Sequence, residues 1–415
     1  MNRKQLTLVL VLGVVAGGLA WWITRRNAAS YQTSGTSLGQ KVLPNFPLND
    51  VAQVVIREGT NELQLVRQED VWKVSERQGY PANFSEVGDL LRKMWDLKAV
   101  QTEEVGPSQY GRLQLLDPGQ GTNSATLVEF KDASGKTAAS ILLGKKHLKK
   151  NEAASQFGGG EGWPAGRWVR VQGGAKQVAL VSEVFSEVEA KPERWLNKDF
   201  FKVEKLKAVS VTHTNGTNSW KVVRESENGE LKLADAQGEE KLDTGKSSSA
   251  GSALSYPSFT DVASPDAKPE DLGLDHPVVA KLETFDGFQY DVKIGRKTGE
   301  EKCHLKLSVT ADLPKERTPG KDEKPEDKDK LDKEFKDKLS KLEEKLKLEK
   351  TCEKWTYLVD KYTVDALLKE RKDLLIEKKD EKKEDKKDEV KVAPLGGEPP
   401  QLDADSEADE EKDAK

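Results

Sequence analysis

Two cysteines and four histidines in 415 residues leave this chain short of the side chains from which metal and redox sites are built. Cys303 and Cys352 alone exclude a disulfide-dense scaffold and a multi-cysteine zinc site. His147, His213, His276 and His304 fall in no H-E-x-x-H or H-x-H arrangement that would set two ligands on one face. No cofactor and no metal is therefore expected. Charge of one sign is also lacking: 67 basic against 72 acidic residues give a formal net charge of -5, which argues for no nucleic-acid partner. Thr244-Gly245-Lys246-Ser247 has the end of a phosphate loop, but the required first glycine would fall at Glu240, so no anion nest can form. Asp271, Asp275 and His276 lie close in sequence, yet turn capping accounts for the two carboxylates. Catalytic residues are expected to be none, and the chain is not expected to be an enzyme.

What is present begins with an apolar run. After Arg3 and Lys4, residues 6–23 carry no charge and include Leu6, Val11, Val15, Leu19, Trp21 and Trp22. That is about the length needed to cross a hydrocarbon core of roughly 30 Å as a helix, and the Trp pair sits where indoles favour the interface. Arg25 and Arg26 follow, so basic residues flank both ends and the positive-inside rule orients the run only weakly. Gly18-Leu19-Ala20 keeps a cleaved signal peptide open as the competing reading. With the N-terminus inside, both readings put the bulk of the chain on the periplasmic or exterior side. The expected location is thus the inner (cytoplasmic) membrane, single-pass, with the membrane itself as a partner.

At this length, two or three domains of roughly 100–200 residues are expected. Beyond a Ser/Thr/Gly-rich linker the pattern reads as strands over 51–57, 62–67 and 71–75, then a helix over 85–97 capped by Ser85, with Val87, Leu90, Leu91, Met94 and Trp95 on one face. An extended stretch over 99–105, a turn ending at Pro118, a hairpin over 125–144, a strand over 167–172 and a second helical stretch over 182–196 follow. The second half repeats the order. Residues 206–211 match 51–56; Asp271 to Pro277 matches the Leu-Leu-Asp-Pro turn ending at Pro118. The hairpin over 281–295, closing in Ile294-Gly295-Arg296-Lys297, matches the one closing in Leu143-Gly144-Lys145-Lys146. The strand opening at Lys354-Trp355 is matched to the one at Arg167-Trp168. The expected fold class is α+β: two tandem related units of antiparallel strands with covering helices, after an N-terminal transmembrane helix. The divisions are 1–26 anchor, 27–47 linker, 48–200 first unit, 201–376 second unit and 377–415 tail.

Trp72-Lys73-Val74, Leu90 to Leu97, Tyr110 to Pro118, Leu272-Gly273-Leu274 to Pro277 and the two hairpin ends resemble the pattern of a bacterial family, the domain-of-unknown-function family 4340. The resemblance covers roughly residues 48–376. Its motifs are turn glycines and core positions, so they speak for fold and carry no chemistry. Members of that family are often encoded beside gliding-motility-type ABC transporter subunits. The resemblance therefore implies a non-catalytic accessory or interaction role, with ABC-transporter-type membrane subunits as partners. The chain departs from the pattern at the Gly-rich loop 158–166, at Leu231 where a tryptophan is missing, and at an insertion over 311–350, where the first copy is read as having only that Gly-rich loop.

In that insertion Leu331, Phe335, Leu339, Leu342 and Leu346 recur at spacings of three and four on a helix otherwise saturated with Lys and Glu. This seam packs either on the protein's own sheet or on a partner helix. Cys303 and Cys352 flank the insertion, and a bridge between them would close its base, contributing on the order of 4 kcal/mol on a chain-entropy argument; two unpaired thiols are the alternative. Residues 377–415 are too charged to bury a core and are expected to be disordered. Two other functions stay open: a small-molecule or glycan-binding ectodomain with its ligand in a cleft between the units, and a plain spacer.

Overall fold

The computed structural model describes residues 39–149, 162–174, 177–264, 266–296, 299–319, 323–324 and 327–376. The apolar run with Leu6, Val11, Val15, Leu19, Trp21 and Trp22, and the tail from 377, lie outside the described residues. Among the described residues no helix is long and apolar enough to cross a membrane.

The chain is α+β, with two antiparallel sheets and few helices. In the first half, β1 (Gln53–Glu58), β2 (Asn61–Gln68), β3 (Val71–Val74) and β4 (Tyr80–Pro81) form a meander. Helix α1 (Phe84–Trp95) follows and carries the chain over to β5 (Ala99–Glu104) at the opposite edge. The chain then returns beside β1 as β6 (Thr126–Lys131) and meanders outward through β7 (Thr137–Lys149), β8 (Trp163–Val171) and β9 (Gln177–Val181) until it meets β5.

The second half repeats this path. Its meander is β10 (Leu206–Thr212), β11 (Trp220–Val223) and β12 (Lys232–Leu233); its crossing is the one-turn helix α2 (Thr244–Ser247). Then come β13 (Asp261–Val262) at the far edge, and β14 (Val278–Thr284), β15 (Phe288–Gly295), β16 (Lys302–Ala311) and β17 (Tyr357–Asp360). The strand orders are β4-β3-β2-β1-β6-β7-β8-β9-β5 and β12-β11-β10-β14-β15-β16-β17-β13. Position by position they agree, with β4 the single addition. The insertion holds α3 (Lys328–Thr351), and α4 (Lys361–Leu368) follows β17.

Local chemistry explains these elements. Helix α1 forms because Val87, Leu90, Leu91 and Met94 share one buried face and the Asn83 side chain accepts from the backbone N–H of Ser85 (3.1 Å) and Glu86 (3.3 Å). The cap is thus Asn83 and not Ser85, because the Asx oxygen reaches two orphan N–H groups that a serine already inside the first turn cannot. In α2 Asp243 caps in the same way, but the Gly-Lys-Ser-Ser-Ser sequence that follows has little helix preference and no apolar stripe, so one turn is all that forms. On β15 and β16 buried and exposed residues alternate, as expected for a sheet with one face on the core and one on solvent. Buried residues of both sheets join in one continuous apolar cluster, while a small second cluster (Leu115, Ala125, Leu127, Leu142, Val178) lies on the outer face of the first sheet.

The recurrent glycine at the hairpin ends has a steric cause. A Cβ on Gly144 would lie 2.5 Å from the carbonyl oxygen of Leu113, and one on Gly295 would lie 2.2 Å from that of Leu272. Both carbonyls belong to equivalent 3-10 turns (Pro107–Leu113 and Pro269–Leu272), each ended by a left-handed residue, Gln114 (φ 52°) and Gly273 (φ 64°). Each turn therefore rests directly on the backbone of the strand beneath it.

Besides the Ser85 cap, three expectations need correction. Residues 182–196 hold no α-helix, only the 3-10 turn Pro192–Arg194, because Phe185 adopts φ 51° and Pro192 interrupts the ladder. The strand after Trp355 is equivalent to β9, not to β8, whose counterpart is β16. Accordingly the insertion replaces the short β8–β9 turn rather than the Gly-rich loop, which lies between β7 and β8.

Candidate functional site

The two sheets meet where β4 of the first faces β13 of the second. Arg77 forms a bidentate pair with Asp261, Nε to Oδ1 and Nη2 to Oδ2 both at 2.7 Å. The Tyr80 ring packs edge-on against Phe259, Trp355 and Tyr357, at centroid separations of 5.9, 4.7 and 6.2 Å. The connection between the halves is pinned to β4 and α1 by backbone bonds from Asn83 N to Trp195 O (2.7 Å) and from Asn197 N to Pro81 O (2.9 Å).

This junction frames a cleft of about 450 Å³. Tyr80 comes from β4, Phe200 and Lys202 from the connection, Glu349 from the last turn of α3, Cys352 and Trp355 from the turn that follows it, and Tyr357 from β17. Phe200 packs 4.5 Å from Tyr357 and 5.0 Å from Phe259, so one wall is aromatic, while Asn197, Lys198, Asp199 and Lys202 line the cleft with polar groups. The polar groups are held by the fold. Glu349 is buried, 5% exposed; its Oε1 accepts from Lys202 N (2.9 Å) and its Oε2 lies 2.8 Å from the Tyr290 hydroxyl. Lys198 donates to the carbonyl of Thr260 (2.9 Å) and lies 4.5 Å from the centre of the Phe259 ring.

Burial shifts five of the groups at the cleft. It pushes the Glu349 carboxyl above the usual carboxylate range, against the bonds from Lys202 and Tyr290 that favour the anion. It raises the Cys352 thiol, and it raises the Tyr80 and Tyr357 phenols well beyond theirs. Burial likewise lowers the Lys198 ammonium. Each shift favours the neutral form. The Tyr357 hydroxyl is buried without a hydrogen-bond partner of full geometry among the described residues.

The sequence-derived candidates are placed as follows. Cys303 and Cys352 are free and buried. Strand register sets Val359, not Cys352, opposite Cys303, and Cys352 opens a 3-10 turn ahead of β17, so the geometry of a bridged strand pair is not there. Along α3, Leu342 and Leu346 pack on the main core, and Phe335, Leu339 and Leu342 close a smaller cavity over Phe285 and Pro314; Leu331 is half-buried. The Thr244–Ser247 turn spends its N–H groups on Asp243, which receives Gly245 N and Lys246 N at 2.9 and 3.0 Å. His276 lies 3.8 Å from Asp275 on the surface, and Asp271 caps Lys268 N at 3.4 Å. Tyr80, Phe200 and Glu349 were not singled out by sequence; no local pattern joins residues so far apart.

Residues 72–277 match the family described as "Domain of unknown function (DUF4340)". Over these residues the chain belongs to the DUF4340 family. The match begins at Trp72 in β3 and ends at Pro277 just before β14, so it takes in most of the first half and the crossing of the second. Neither the curated proteins nor the solved structures contain a match to the chain. Among the described residues no group of three or more His, Cys, Asp or Glu side chains converges as a metal site would.

Proposed function

We propose that this DUF4340 chain is a membrane-tethered, non-catalytic interaction protein, an accessory subunit of an ABC-transporter or gliding-type complex on the outer side of the cytoplasmic membrane. One observation carries the non-catalytic part. Among the described residues, Glu349 and Lys198 at the junction cleft are spent on bonds within the fold, to Lys202 N–H, the Tyr290 hydroxyl and the Thr260 carbonyl. The uncharged run over 6–23 supports the tether, and two sheets sharing one core supply a continuous platform. The test is affinity purification of the intact chain from detergent-solubilised membranes, with a chain lacking residues 1–26 as control. Co-purification of transporter-type membrane subunits with the intact chain is expected; recovery of the protein alone overturns the accessory role.

A second reading, a small-molecule or glycan-binding ectodomain, is favoured by the cleft itself. Its aromatic wall of Tyr80, Phe200, Trp355 and Tyr357, beside polar lining residues, suits a ligand that stacks. Quenching of tryptophan fluorescence by a ligand in the wild type, lost in Trp355→Phe, would establish it.

A further inference from the structure

The duplication allows the two halves to be compared at equivalent positions, and one position has changed character. Aligned on Gly144 and Gly295, Leu142 of β7 corresponds to Lys293 of β15. Leu142 is fully buried in the outer cluster beneath the first 3-10 turn, with Leu115, Leu127 and Val178. Its cross-strand neighbour Arg170 is neutralised, with Asp117 at 3.5 Å and the Tyr110 ring at 4.4 Å. In the second half the neighbour of Lys293 is Lys306, and like charges directly opposite on adjacent strands repel. The acid is gone as well: counted from the left-handed residue of each turn, Asp117 corresponds to His276.

The apolar plug of the first half thus becomes an open groove of about 370 Å³ in the second. Lys293, Lys306 and Lys354 line it from three elements; Leu272, Leu274 and Trp355 wall it; no carboxylate is among its lining residues. None of the three lysines is ion-paired among the described residues, although one row away Lys281 faces Asp291 at 3.8 Å.

We infer that this groove binds a phosphate group carried on a partly apolar ligand. Three ammonium groups lining one groove, with no carboxylate among its lining residues, call for an anion of about two charges with several acceptor oxygens, which a phosphate monoester provides at neutral pH. The leucine and tryptophan walls would cover the group that bears it. A phospholipid headgroup and a soluble phosphate compound share this chemistry.

The test uses the full chain in detergent at low salt and measures binding of sodium pyrophosphate and of dihexanoyl phosphatidic acid by calorimetry. Wild type is expected to bind at least one probe. Triple substitution K293Q/K306Q/K354Q is expected to weaken binding by at least about tenfold, Lys293→Leu to abolish it by restoring the plug, and K207Q/K221Q/K232Q, at the other end of the sheet, to leave it unchanged. Binding of phosphatidic acid alone assigns the lipid source; binding of pyrophosphate assigns the soluble one. Binding of neither probe, or equal loss in the two triple variants, overturns the inference.

Discussion

Glu349 offers the most discriminating perturbation, because the same carboxyl ties the insertion helix to the connection between the halves. Tyr290 has one hydroxyl proton and two neighbours, Lys202 O at 3.1 Å and Glu349 Oε2 at 2.8 Å. A neutral Glu349 resolves the competition: its proton goes to Tyr290 Oη, and Tyr290 donates to the Lys202 carbonyl. Glu349→Ala leaves Lys202 N–H without its acceptor, at about 1–3 kcal/mol, and removes packed methylene, at about 0.8 kcal/mol per group. A loss of about 2–4 kcal/mol is expected. Glu349→Gln keeps an acceptor for Lys202 and a donor for Tyr290 and should fall within about 1 kcal/mol of wild type. The pH dependence has a definite sign. With the folded-state carboxyl raised, the folded chain keeps a proton that the unfolded chain has released, so wild-type stability falls as pH climbs from the ordinary carboxylate range through the folded value. Glu349→Gln lacks this slope. Urea denaturation followed by far-UV circular dichroism, at about pH 5 and about pH 8, should show the wild type losing ground to Glu349→Gln as pH rises. A glutamine variant as damaged as the alanine one, or a wild-type advantage that grows with pH, would refute the reasoning.

Gly295→Ala should cost about 2–4 kcal/mol, because its Cβ collides with the Leu272 carbonyl. Gly59→Ala, with φ 59° and nothing within 4 Å, should cost only about 1 kcal/mol; equal shifts in melting temperature would count against the close approach. A double-mutant cycle on Arg77 and Asp261, each about a fifth exposed, should give a coupling of about 1–2 kcal/mol. The exposed Arg92–Asp89 pair should give about 0.5 kcal/mol or less. Without reductant, a thiol reagent should find both cysteines unreactive in the folded chain and count two on unfolding; a count of zero would mean a bridge.

The sequence revealed most where one residue settles a local geometry. The hairpin over 281–295 was legible because its strands have one wet face, and the hairpin-end glycines were legible because no side chain fits there. Reading failed where apolar spacing served something other than a helix. Phe185, Val188, Trp195 and Leu196 are spaced like a helical stripe, yet they are anchors of an irregular connection that buries each in turn. Matching the Trp355 strand to the Trp168 strand rested on a shared dipeptide pattern, and only the strand order tells β9 from β8. The junction cleft had no local signal at all, since Tyr80, Phe200 and Trp355 meet only once both sheets exist. The lysine groove was different. The pairing of Gly144 with Gly295 already placed Lys293 opposite Leu142, but a leucine-to-lysine exchange gains meaning only when one is known to be buried.

The pairing of β16 with β17 tolerates a very unequal connection. Its counterpart in the first half joins Val171 to Gln177 through residues 172–176, whereas here the chain departs at Ala311 and returns at Tyr357 with a folded helix in between. Both strands nevertheless keep their register from Lys302↔Asp360 to Leu305↔Tyr357. This hairpin end is therefore a socket, a place where the scaffold accepts a guest because the strands on either side are fixed by their outer neighbours rather than by the loop that joins them. The first half should possess the same socket in unused form. A compact reporter domain grafted between Gly173 and Gly174 should leave both sheets standing and give a visible handle on a chain whose partners are still to be caught.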